Sequence, residues 1–233
     1  MEPRYTLHYA PDNASAILRL VLEELDIAYT TQLVDRSTNE QNSASYRALN
    51  PTGKIPTLIT PHGAMSEVAA CLLYLSEQHK ALAPTAESAD RPAFLKWLLF
   101  TANTLHPDLA MHFYLHRYGD DAAIASMRKA VIERLKDHLT LIDRHISTDT
   151  PAYLGGDRLS VLDFYVGYTL RWCALYPRTH ASWFRLSDYP ALARLAARLE
   201  TRPSMAAVQK AEGLGLTPLT APRQATPPEG VAL

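Results

Sequence analysis

The sequence predicts a chain in two parts: an α/β portion built on a mixed sheet, then a portion made only of helices. Three observations carry this. Strand-like and helix-like patterns alternate over roughly the first 80 residues. A short polar stretch, Ala83-Pro84-Thr85-Ala86-Glu87-Ser88, then interrupts them, and beyond it long apolar-periodic segments continue without any strand pattern. A chain of 233 residues, 47% apolar and 20% charged, can bury a core in each part.

Tyr5 to Tyr9 is aromatic and β-prone, and Pro11-Asp12-Asn13 ends it as a turn cluster. From Ser15 the spacing becomes helical, with Ile17, Leu18, Val21, Leu22 and Leu25 on one face and Arg19, Glu23 and Glu24 opposite. Residues 28–34 read as a second strand, and Tyr46 to Leu49 as a short helix ending at Asn50-Pro51-Thr52-Gly53. Thr57-Leu58-Ile59 and Ala64-Met65 read as strands joined by Pro61-His62-Gly63, and a helix covers residues 67–79. This order, β-α-β-α-β-β-α, implies a mixed sheet with helices on both faces. In the second part, residues 92–118 and 121–145 read as an antiparallel helix pair, followed by helices near 161–176, 190–200 and 204–209. The tail from Leu214 holds four prolines in 20 residues and reads as extended, either draped on the body or disordered.

Composition narrows the function. The net charge is −1 with Lys and Arg scattered, which argues against a nucleic-acid partner. No apolar run approaches the roughly 18 residues of a spanning helix, and the start of the chain lacks a leader pattern. Cys71 and Cys173 stand far apart and outside any CxxC, which fits a reducing, cytoplasmic setting without disulfides or a thiolate metal cage. Asn13-Ala14-Ser15 matches the glycosylation triplet, a reading that requires secretion and is set aside on that ground.

Most of the chemical information lies in Asn50-Pro51-Thr52-Gly53-Lys54-Ile55-Pro56-Thr57-Leu58. Pro56 sits where a strand should begin and forfeits a ladder donor. On the residues alone, a trans proline at a strand start is the simpler account, since cis bonds are only about 5–6% of X-Pro bonds. The string N-P-x-G-K-[IV]-P-x-L, about 50 residues into a chain opening β-turn-α-β, resembles the glutathione transferase family. The resemblance covers nearly the whole chain. It implies a thioredoxin-like domain at residues 1–82 that holds glutathione, an all-helical substrate domain at 91–213 and an appended tail at 214–233. It also implies a cis Pro56, a backbone pairing between Ile55 and the cysteinyl part of glutathione, and Lys54 near a carboxylate of the tripeptide.

Ser66-Glu67-Val68-Ala69-Ala70-Cys71-Leu72-Leu73-Tyr74-Leu75 resembles the family's E-S-x-A-I-x-x-Y-L. A helix N-terminus there favours the γ-glutamyl carboxylate, and Glu67 the ammonium beside it. Val68 stands where the family has Ser or Thr, so one hydroxyl hydrogen bond is forfeited. On the residues alone, Glu67 is equally a favourable first-turn acid.

Glutathione must become a thiolate to react, so the turn after the first strand needs a donor. Ser15, at the N-cap or first position of the first helix, is the leading candidate, with Asn13 competing and Tyr5 and Tyr9 behind. An ordinary helix cap is the alternative role for Ser15. Aligned on Pro11, the catalytic Cys of the bacterial Y-x-P-G-A-C-S pattern falls on Ala14, so the resemblance implies a serine-type site. Thr104-Leu105-His106 resembles a family helix whose histidine lines the substrate cleft, and Tyr114, Tyr118 and Trp172 are candidates for an apolar pocket for the electrophile. His112 and His116 lie four apart without a third ligand, so a polar cleft wall or solvated face is favoured over a metal. Ser160-Val161-Leu162-Asp163 is a capping-box signature with a structural role. The functions implied are glutathione transfer to a small hydrophobic electrophile, a glutathione-dependent isomerase or dehalogenase, or a non-catalytic binding module of the same fold. The resemblance also implies a homodimer.

Overall fold

The computed structural model describes residues 4–232. In chain order the elements are β1 (Tyr5–Tyr9), α1 (Ser15–Glu24), β2 (Tyr29–Leu33), α2 (Ala44–Leu49), β3 (Thr57–Thr60), β4 (Gly63–Met65) and α3 (Val68–His79). There follow α4 (Arg91–Phe100), α5 (His106–Phe113), α6 (Asp121–Arg144), α7 (Val161–Leu175), α8 (Pro190–Glu200) and α9 (Pro203–Glu212). They fall into two compact units, one of residues up to 81 together with those from 200 onward, the other of residues 82–199.

The first unit carries the sheet, a four-stranded mixed one as expected of a thioredoxin-like half. Its sheet has the order β2-β1-β3-β4, with β1 and β2 parallel and the other pairs antiparallel. Along β1, Tyr5, Leu7 and Tyr9 are buried while Thr6 and His8 are half-buried, the period-two alternation of a strand with one face on the core. Leu7, Ile17, Leu18, Leu58, Leu72 and Leu75 close that core with no exposed surface. Register places the site. His8 pairs with Thr57, and Leu58 with Met65, so the turn after β1, the segment before β3 and the segment after β4 share one edge of the sheet.

Two features of this unit depart from the local pattern. Arg19, on what reads as the polar face of α1, is 6% exposed because α9 covers that face. Its Nε lies 3.0 Å from Oε1 of Glu212, which is itself completely buried. At the other end of the same helix pair, Arg202 and Ser204 both bond Glu24. Thus α9, which the sequence pattern attaches to the helical part, is zipped to α1 through charged groups at both ends. The tail is draped. The amides of Leu219 and Thr220 donate to Glu200 Oε1 at 2.7 and 2.8 Å, and Thr226 N–H donates to the Gly213 carbonyl at 2.9 Å. Gly213 has φ +64, and a Cβ there would sit 2.0 Å from the Thr226 carbonyl oxygen, so only glycine permits this approach.

The second unit is built around α7, whose residues from Val161 to Cys173 are all buried. Ser160 and Asp163 form the reciprocal capping box. The long segment before α6 is a helix interrupted by a π turn at Thr101–Leu105, and a second π turn, His145–Asp149, follows α6. Asp143 Oδ1 accepts the amides of Ala191 and Leu192 at 2.7 and 2.9 Å, satisfying the exposed start of α8. Among the described residues no helix is long and apolar enough to cross a membrane.

His112 belongs to neither role expected of it. It is completely buried, edge-on to Trp183 at 5.9 Å, while His116 is exposed, because α5 ends at Phe113 and breaks the helical spacing between them. Among the described residues there is no group of three or more His, Cys, Asp or Glu that could hold a metal. Burial, reinforced by the nearby Arg128, lowers the His112 pKa to about 4. The folded state therefore keeps His112 neutral, whereas the unfolded chain protonates near pH 6.5. The stability tied to neutral His112 is complete above pH 6.5 and is lost as pH falls from there through 4. We expect this to amount to about 2–3 kcal/mol. Urea midpoints at pH 7.5 and 4.5 check it: His112→Leu should show a visibly smaller acid-induced drop than the parent, and equal drops would exclude the effect.

Candidate functional site

The turn after β1 is shaped by its neighbours. Asp12 adopts φ +51, a left-handed conformation that costs a non-glycine residue energy unless something fixes it. Its amide donates at 2.9 Å to Oε2 of Glu212, the same carboxylate that holds Arg19. Burial lifts the Glu212 pKa to about 7 despite the facing guanidinium. No local pattern announces Glu212; a lone carboxylate at the end of a short helix and a lone Arg inside an apolar one are its only sequence trace.

The structure separates the candidate sulfur donors. Ser15 is the first residue of α1, after Ala14 at the N-cap, and does not cap the helix. It is completely buried, its hydroxyl donates to the Ala10 carbonyl at 3.0 Å, and its Oγ accepts the Ala10 amide at 3.3 Å. Ser15 thus ties the turn to its own start, and its proton is committed there. Tyr5 OH lies 3.1 Å from Nε2 of His79, and Tyr9 OH donates to Glu229. Asn13 is half-buried, and its Oδ1 accepts the Ala14 amide at 2.7 Å, which fixes the side-chain amide and leaves Nδ2 as a donor.

The segment before β3 is fixed just as locally. The Ile55–Pro56 bond is cis, as the resemblance implies and the residues alone do not. The Lys54 carbonyl accepts from Tyr46 OH at 2.7 Å and from Asn50 Nδ2 at 2.8 Å, and Tyr46 OH lies 3.0 Å from Thr57 Oγ1. With Gly53 at φ +65, these bonds hold the loop while the Lys54 side chain stays exposed and Ile55 half-buried. A second cis bond, Tyr176–Pro177, lies in the other unit and has no counterpart in the sequence reading.

After β4, Glu67 is exposed and takes φ +67 and ψ +111, a region that non-glycine residues rarely visit. It occupies the N-cap of α3 without a side-chain cap bond. Val68, the first helical residue, is buried and offers no hydroxyl, so its contribution to an anion is its backbone N–H. The site edge therefore carries an oriented amide, a loop with an exposed cation, and an uncapped helix start beside an acid. That set suits a ligand that carries both carboxylate and ammonium groups.

In the second unit, His106 opens α5 with Nδ1 2.8 Å from Tyr165 OH and its ring 5.2 Å from that of Trp172. Tyr114 carries the Arg117 guanidinium over its ring at 4.1 Å. Trp172 is buried within the unit's core.

Two family models match the chain: the glutathione S-transferase N-terminal domain over residues 14–78 and the C-terminal domain over residues 121–198. A glutathione S-transferase of Xanthomonas campestris is 27% identical, over 89% of this chain and 98% of its own. A disulfide-bond oxidoreductase of Escherichia coli, YfcG, is 26% identical, over 85% of this chain and 91% of its own. Among solved structures, a sphingomonad glutathione S-transferase complexed with glutathione superposes with a TM-score of 0.74 at 28% identity, over 90% of this chain and all of the other. A glutathione transferase of Methylococcus capsulatus gives 0.75 at 25% identity, over 90% and 98%.

Proposed function

The chain belongs to the glutathione transferase family, and on that premise we propose that it binds glutathione at this sheet edge and presents the sulfur as a thiolate to a small hydrophobic electrophile. The observation that carries the reading is the convergence, on one edge, of Asn13, the cis Ile55–Pro56 segment and the uncapped start of α3. In this reading the γ-glutamyl carboxylate takes the amides at the start of α3 and its ammonium takes Glu67. The Ile55 backbone pairs with the cysteinyl unit, and Lys54 faces the glycyl carboxylate. Asn13 Nδ2 donates to the sulfur and lowers its pKa from about 8.5. Ser15 serves by fixing the turn. His106 and Tyr114 line the electrophile's pocket, and the functional form is a homodimer in the cytoplasm.

Retention on immobilised glutathione, together with conjugation of a panel of electrophiles, tests this. Failure of both overturns it, and catalysis without glutathione consumption assigns an isomerase instead. The oxidoreductase among the relatives favours one alternative, thiol–disulfide exchange, because a donor that stabilises a thiolate also assists its departure. Reduction of a mixed glutathione disulfide faster than conjugation would select it.

A further inference from the structure

The tail of the first unit does more than cover surface. After Gly213 it doubles back, buries Leu214 and Leu219, and is fixed at Glu200 and Gly213 by the hydrogen bonds described above. Its far end reaches the site edge. Glu229 accepts from Tyr9 OH, at the last residue of β1. The next residue, Gly230, has φ +70, and a Cβ on it would lie 2.8 Å from Leu33 Cδ1 and 3.3 Å from Pro11 Cδ. Leu33 ends β2 and Pro11 begins the turn that carries Asn13. Burial, and then Glu229 itself, raise the Tyr9 phenol above its ordinary pKa, so it remains an O–H donor at neutral pH.

We propose that residues 214–232 form a strap whose end, Glu229 on Tyr9 and Gly230 against Pro11 and Leu33, holds the β1–α1 turn in the shape that receives glutathione. The proposal rests on the reading of that turn as the sulfur site. The turn has an evident need for such support. Asp12 is held in a left-handed conformation from one side by Glu212, and the strap closes on Pro11 from the side of β2. A preorganised turn binds its ligand without ordering cost, whereas a released one must be ordered on each encounter.

Two variants of the full chain test the strap. Glu229→Ala removes the latch. Gly230→Val places a side chain where Leu33 and Pro11 already stand, at a φ that L-residues avoid, and lifts the end of the strap without touching its anchors. Amide exchange at Ala10, Asp12 and Ala14 should accelerate by about tenfold in both, with exchange across α6 and α7 unchanged. The dissociation constant and KM for glutathione should rise by roughly three- to tenfold while kcat at saturation holds. Unchanged exchange at those three amides in both variants overturns the strap, and faster exchange with unaltered glutathione affinity overturns its link to the ligand. If the parent protein retains no glutathione, the functional reading has failed, and the exchange measurement alone decides whether the strap holds the turn.

Discussion

Asp163→Ala should cost about 3–5 kcal/mol of stability, the largest effect expected of any single substitution outside the site. The carboxylate is completely buried and accepts the amides of Gly155 and Ser160 at 2.6 and 2.7 Å and the Ser160 hydroxyl at 2.8 Å. Arg198 Nη2 lies 3.1 Å from Oδ1. Alanine takes the acceptor from the buried Ser160 amide and hydroxyl and from the half-buried Gly155 amide, while Arg198, 35% exposed and still bonded to the Gly156 carbonyl, loses its carboxylate. It also removes half of the capping box that begins α7, the helix on which the second unit is assembled. In a chain of this length the corresponding fall in Tm is on the order of 10 °C. Asp163→Asn keeps one acceptor oxygen but replaces the other with a donor facing donors, so it should lie between alanine and the parent. Differential scanning calorimetry of the three proteins decides the matter. An alanine variant melting within a degree of the parent would mean that the box is not what holds this unit together. Well below the transition, glutathione affinity should be unaltered, because every group assigned to the ligand's recognition lies in the first unit.

The capping role of Asp163 is legible because that partner is local: a Ser three residues before an acid, ahead of an apolar run, states its own structure, whereas Arg198, 35 residues on, leaves no such sign. The alternation of β1 and the apolar face of α1 are legible because each is written as a period along the chain, and the loop before β3 because its bonds run between near neighbours in sequence. What local pattern does not reach is pairing across the chain. Arg19 and Glu212 are 193 residues apart, and so are invisible to periodicity. Their pairing reverses two sequence expectations: that Arg19 faces outward and that α9 stays with the helices before it. Ser15 shows the same limit at the scale of one turn. Its position at the start of α1 suits a sulfur donor as well as an anchor, and only the course of the chain back to Ala10 distinguishes them. His112 was misread for a related reason, since helical spacing to His116 holds only while the helix continues.

Asn13→Ala should raise the pKa of bound glutathione by about one to two units, the shift that corresponds to losing a charge-assisted hydrogen bond of roughly 1.5–3 kcal/mol. Turnover at neutral pH should fall by roughly ten- to a hundredfold and the pH–rate profile should move to higher pH, while glutathione affinity changes little, since Lys54, Ile55, Glu67 and the amide of Val68 remain. Asn13→Asp sharpens the test. The aspartate can still accept the Ala14 amide, now at 2.7 Å to Asn13 Oδ1, so the turn is preserved. It presents a carboxylate instead of an N–H to the sulfur, and a like charge at that distance disfavours the thiolate further. The aspartate variant should therefore be the slower of the two at neutral pH, an order that a purely structural role for Asn13 would reverse. Ser15→Ala gives the complementary pattern. It removes both bonds to Ala10 and leaves that residue's buried amide and carbonyl unpaired, at a cost of about 1–3 kcal/mol. Thermal stability should fall and KM for glutathione rise as the turn loosens, with the pH–rate profile unmoved. Spectroscopic titration of bound glutathione, following the ultraviolet absorbance of its thiolate, separates the outcomes directly. Should Ser15→Ala displace that titration while Asn13→Ala leaves it in place, the hydroxyl is the sulfur's donor after all, and the turn must rearrange on binding to release it from Ala10.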